Sequence, residues 1–152
     1  MIQRIQTVYM ALAVVFTVVC LCLPIGVFCA DGLTVIREYN LFLADDSAAH
    51  SYDTWPMFAV LVPSAALGIY SIFVYVNRRV QARFCMFNVL LLIGWYVLYA
   101  VYSRMFGVGE GTVDFQPTVY AAFPCVALIF YVMARRAIMA DEALVRAADR
   151  IR

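Results

Sequence analysis

The sequence predicts an all-α integral membrane protein: an antiparallel bundle of four transmembrane helices carrying a cytoplasmic amphipathic C-terminal helix. Three observations carry that expectation. Hydrophobic residues make up 66% of the chain and charged residues 14%, against roughly 45–50% and about 25% in soluble domains. The apolar residues gather into four uncharged stretches, each near the ~20 residues a helix needs to cross a hydrocarbon core. All eleven basic residues are arginine, and they crowd into every second connecting segment.

The first span is expected over residues 8–28. Arg4 before it and Cys29 and Ala30 after it give it the outline of a secretory leader. The run exceeds the roughly 7–15 residues of a leader's apolar core, however, and Phe28 is too large for the third position before a cut after Ala30. The stretch is therefore expected to remain in the chain. A lipoprotein anchor fails as well, because Val19, Leu21 and Phe28, none of them small, precede the cysteines. Pro24 lies near the far end, where a helix stop is most easily accommodated.

Residues 30–54 carry Asp31, Glu38, Asp45, Asp46 and Asp53 against a single Arg37, the composition of a solvated acidic loop. Within residues 33–43 the β-formers Thr34, Val35, Ile36, Tyr39 and Phe42 suggest a short strand or an interfacial segment. Asp45, Asp46, His50 and Asp53 are the candidate metal ligands. They match no established ligand spacing and include the chain's single histidine, so solvation is the expected role and no metal or other cofactor is predicted.

The second span, residues 55–76, opens on Trp55 and Pro56, an interfacial aromatic followed by a first-turn proline. Ser64 and Gly68 stand four apart on one face, a spacing that lets two helix backbones approach closely. A short basic turn follows over residues 77–83, with Arg78, Arg79 and Arg83 and no acid. In the third span, residues 84–103, Asn88 is placed to hydrogen-bond a neighbouring helix, while Trp95, Tyr96, Tyr99 and Tyr102 crowd the far half. A glycine-rich loop over residues 104–117 leads to the fourth span, residues 118–134, which Pro124 is expected to bend.

Counting arginines orients the bundle. Arg4, Arg78, Arg79, Arg83, Arg135, Arg136, Arg146, Arg150 and Arg152 fall on one side, and only Arg37 and Arg104 on the other. Nine against two puts both termini in the cytoplasm and the acidic loops outside, as an even number of spans requires. In the tail, residues 135–152, Ala137, Ala140, Leu144, Ala147 and Ile151 recur at intervals of three and four, the stripe of an amphipathic helix. Glu142 and Arg146 form a favourable pair four apart. So short a helix is marginal alone, so it is expected to lie on the membrane, continue the fourth span or pack on a partner.

Two stretches carry a family likeness. Residues 1–9, with Gln3, Arg4 and Gln6, and residues 134–152, with Arg135, Arg136, Asp141, Glu142, Arg146 and Arg150, resemble the DUF4293 family of small four-span membrane proteins from Bacteroidota. Arg79, Gln81 and Asn88 in the middle of the chain are similar to it too, whereas Ala147 and Met139 depart from its pattern. The resemblance implies a bacterial inner-membrane location and a tail that matters to the family, but no activity.

The chain has no Gly-x-x-x-x-Gly-Lys phosphate loop, no nucleophile elbow and no His-Glu-x-x-His pair. No Asp, Glu, Arg or His falls inside a span, which counts against ion-coupled transport and proton relays. Cys20, Cys22, Cys29, Cys85 and Cys125 contain no Cys-x-x-Cys motif and are expected to be small buried thiols. The tail's five arginines against Asp141, Glu142 and Asp149 leave a net charge of +2, with no motif for nucleic acid. The expected role is a non-enzymatic accessory or interaction subunit among other membrane proteins and lipid. Its partner-binding residues would be Arg78, Arg79, Arg83, Asp141, Glu142, Leu144, Arg146 and Arg150. The alternative is binding or transport of a hydrophobic small molecule such as a lipid or quinone within the bundle, against Trp95, Tyr96 and Tyr99.

Overall fold

The computed structural model describes residues 3–30, 33–45, 50–74, 77–106 and 113–149. Four long helices dominate it: α1 (Gln3–Cys22), α2 (Trp55–Phe73), α3 (Arg78–Phe106) and α4 (Phe123–Asp149). Each is long and apolar enough to cross a membrane, and no more than a third of any such stretch, 33%, is buried inside the protein. Most of their apolar surface therefore faces outward, including Val15, Ile69, Leu90, Val97 and Ile129, as expected of helices solvated by lipid. The chain is a multi-pass membrane protein. α1 and α3 each pack on both α2 and α4. The core between them holds Met10, Leu61, Leu92, Trp95, Tyr131 and Ile138.

The bundle also carries a β-sheet at one end. Strands β1 (Gly26–Ala30), β2 (Leu33–Glu38), β3 (Leu43–Asp45), β4 (His50–Ser51) and β5 (Val113–Pro117) form one sheet in the order β4-β3-β2-β1-β5. All four pairings are antiparallel, and Phe28 in β1 lies opposite Ile36 on one side and Phe115 on the other. Segments expected to be two separate loops are thus joined by hydrogen bonds across β1. The short strand suggested within residues 33–43 is part of a larger element.

Four local features depart from the sequence expectation. The first helix stops at Cys22, not near residue 28, because Pro24 cannot continue it and the next residues pair as β1. The arginine-rich stretch at residues 77–83 is not a turn: Arg78, Arg79 and Arg83 lie on the first turns of α3, which Asn77 opens by accepting the Gln81 amide at 3.0 Å. Pro124 does not bend the fourth helix, because it is the second residue of α4, where its missing N–H has no helical partner to lose. A 3-10 turn, Val119–Ala122, precedes it. Finally, Cys22 and Cys125 are exposed on the bundle's outside, while Cys20 and Cys85 are buried. The tail as far as Asp149 is the uninterrupted end of α4.

Candidate functional site

At the sheet end, the segment read as a solvated acidic loop buries polar side chains. Glu38, Asn40 and Thr54 are all completely inaccessible. Asn40 sits between sheet and bundle and donates through Nδ2 to the Cys20 carbonyl at 2.7 Å, satisfying a carbonyl at the end of α1. Its Oδ1 accepts from the Trp95 indole N–H at 2.9 Å, and its backbone carbonyl accepts from the Phe58 amide at 3.2 Å. One asparagine therefore ties α1, α2 and α3 together. The Tyr96 and Tyr99 hydroxyls donate to the carbonyls of Ala121 (2.9 Å) and Ile25 (3.2 Å), and the Trp95 and Tyr99 rings stack 5.3 Å apart. The aromatic group is consumed by the fold's own joints.

Glu38 is the unusual member. Its strand neighbour is Gly26, where a Cβ would meet the Phe115 ring and lie 3.0 Å from Glu38 Oε2. Only a residue without a side chain leaves room for both. Neither carboxylate oxygen has a hydrogen-bond partner among the described residues. Burial pushes its pKa up to about 7. The sequence holds a signal for this: Glu38 alternates with Ile36 on one strand and so shares its face.

The opposite end of the bundle carries the arginines. Arg78 pairs with Asp141 at 2.5 Å, and Arg79 with Glu142 at 2.6 Å, so the start of α3 is clamped to the tail of α4. Glu142 also accepts from Arg146 at 2.5 Å, one turn on. Arg83 has no carboxylate partner among the described residues. Beside these pairs, α3 and α4 enclose a groove of about 310 Å³ whose lining includes Arg79, Arg83, Met86, Arg135, Met139 and Arg146. The residues expected to bind a partner are therefore partly engaged with one another. Leu144, by contrast, is 60% exposed, and Ala140 and Ala147 on its stripe are exposed with it. Arg150 lies outside the described residues.

Among the other sequence candidates, Ser64 Oγ donates to Asn88 Oδ1 at 2.8 Å, linking α2 to α3. Gly68 sits where a Cβ would meet the Tyr131 hydroxyl and come within 2.7 Å of Val14 Cγ2, so α1, α2 and α4 approach one another there. Asp53 is exposed and accepts from the Ser51 hydroxyl. Asp46 and the side chains of Asp45 and His50 lie outside the described residues, and no metal-ligating group of three or more occurs among those described.

The family model described as a domain of unknown function, DUF4293, matches residues 2–151. The chain belongs to this family. No curated protein matches it. Several of the residues that carry the DUF4293 likeness are joints between helices. Gln6 Nε2 donates to the Ala137 carbonyl at 3.0 Å, across α1 and α4. Gln81 Nε2 donates to the Ser71 carbonyl at 3.0 Å, satisfying the last turn of α2, and Arg79 makes the clamp to Glu142. In this DUF4293 chain, then, Gln6, Arg79 and Gln81 each link one helix to another.

Proposed function

We propose that the protein is a small accessory subunit of a bacterial inner-membrane complex, with both termini cytoplasmic. It would engage its partner through the tail of α4. The observation that carries this reading is the exposed apolar stripe of Ala140, Leu144 and Ala147 on a helix whose other side is pinned to α3 by Arg78–Asp141 and Arg79–Glu142. The clamp holds the tail in one direction before any partner arrives, which lowers the ordering cost of binding. Exposed Arg136 and Arg146 flank the stripe, so the complementary occupant is a cytoplasmic helix of another membrane protein with an apolar face rimmed by carboxylates. Binding of a lipid or quinone at Trp95, Tyr96 and Tyr99 takes second place, because Trp95 is fully buried and all three polar tips already have partners.

The test is affinity capture from native membranes with the full chain, Leu144→Asp, a chain ending at Ala140, and Arg104→Gln as a control at the other end. A stoichiometric partner present with the parent and the control and absent with both tail variants supports the reading. A partner that persists with Leu144→Asp contradicts it, as does a lipid or quinone that co-purifies with every variant in place of any protein.

A further inference from the structure

The groove between the start of α3 and the tail of α4 lies on a different side of α4 from the Leu144 stripe, and its chemistry is different. Four arginines line it, Arg79 and Arg83 from α3 and Arg135 and Arg146 from α4, against the single carboxylate of Glu142. Glu142 pairs with Arg79 and Arg146, which leaves Arg83 and Arg135 without an acidic partner among the described residues. The same side of the molecule carries the N-terminus of the 29-residue α3, whose first turn contains no acid. A cleft of about 480 Å³ there is lined by Asn77, Arg78, Arg79, Val80, Arg83 and Glu142. A helix N-terminus and unpaired guanidiniums both favour an anion, and the guanidinium fork matches phosphate oxygens.

The groove also has apolar lining. Ala82, Met86 and Met139 share its lining with the arginines. From Met86 an exposed row continues along α3 through Leu90 (54% exposed) and Ile93 (47%), on the helix face that lipid would solvate. Arg83 and Arg135 adjoin the third and fourth spans, so the charged lip sits where a membrane's polar boundary falls. A free anion would use only the lip. The adjoining apolar row on α3 accommodates a ligand with a hydrocarbon chain.

We propose that this groove binds an anionic phospholipid, with its phosphate held by Arg83 and Arg135 and an acyl chain laid along Met86, Leu90 and Ile93. Arg146 borders both surfaces, but the proposed ligand is held by Arg83 and Arg135 and the Leu144 stripe takes no part in it.

The experiment uses the purified full chain in neutral detergent, titrated with phosphatidylglycerol, phosphatidylcholine or inorganic phosphate. Bound lipid is counted by native mass spectrometry, and stabilisation is followed by thermal unfolding. The parent, Arg83→Gln/Arg135→Gln, Arg136→Gln and Leu144→Asp are compared. The expected result is discrete binding of phosphatidylglycerol over phosphatidylcholine, weakened at least about tenfold by the double substitution and unchanged in the other two. Equal binding of the two lipids, or full retention by the double variant, would overturn the proposal. So would inorganic phosphate at millimolar concentration displacing the lipid completely, which would make the groove a site for a free anion.

Discussion

Glu38 sets the sign of a pH response. Its folded pKa, about 7, stands above the ordinary 4.5 because burial disfavours the charged carboxylate. The folded state therefore holds this proton more tightly than the unfolded chain does. The contribution of Glu38 to stability is fullest below pH 4.5, falls as pH rises from there through 7, and is level above, a loss of up to roughly 3 kcal/mol. Thermal unfolding in detergent across pH 4 to 8 should show this decline in the parent and lose most of it in Glu38→Gln. An identical slope in both would place the titrating group elsewhere. Gly68 offers a second test at this scale. Gly68→Ala would push a methyl into Tyr131 and Val14 and should destabilise by about 1–3 kcal/mol, whereas Gly94, with nothing within 4 Å, should accept alanine with no loss. Equal melting temperatures for the two variants would mean that the helices do not approach at Gly68.

At the scale of elements, the helices were legible because each announces itself by length and lack of charge. What the sequence concealed was pairing between distant segments. β1 carries Val27 and Phe28, residues as much at home in an apolar helix as in a strand, and only pairing with Ile36 and Phe115 from two separate loops decides the matter. Pro24 marked the true end of α1, but the apolar run beyond it hid the stop. The same holds for Asn40: a polar residue in a loop reads as solvated until the sheet folds over Cys20 and Trp95. Ser64, Gly68 and Asn88 could be read as helix contacts because spacing and burial cost are local properties, whereas the pairing of Arg78 with Asp141 joins residues far apart in the chain. That ion pair is half-buried, with side-chain exposures of 27% and 13%, so a double-mutant cycle with Arg78→Ala and Asp141→Ala should give a coupling of about 1 kcal/mol. A coupling indistinguishable from zero would mean that the tail is not clamped. Trp95→Phe leaves Asn40 Oδ1 buried without its donor and should cost about 1–3 kcal/mol in unfolding experiments.

For the whole molecule, the two ends of the bundle have different characters. One is closed by the sheet and holds a carboxyl group away from water. The other gathers arginines and the free face of α4. The arginine distribution predicts that the sheet end is external. Single cysteines at exposed Asp53 and Arg136, in a chain whose own cysteines are replaced, should show this with a membrane-impermeant maleimide on intact cells. Position 53 should label and position 136 should label only after lysis; the reverse pattern would invert the molecule.

If the tail stripe meets a protein, that protein lies within reach of Leu144. The most direct measurement of this is photo-crosslinking in living cells from a reactive amino acid placed at Leu144, with lipid-facing Val62 as the comparison. One discrete protein adduct is expected from position 144 and none from position 62. Adducts with lipid alone at both positions, or the same protein ladder from each, would contradict it.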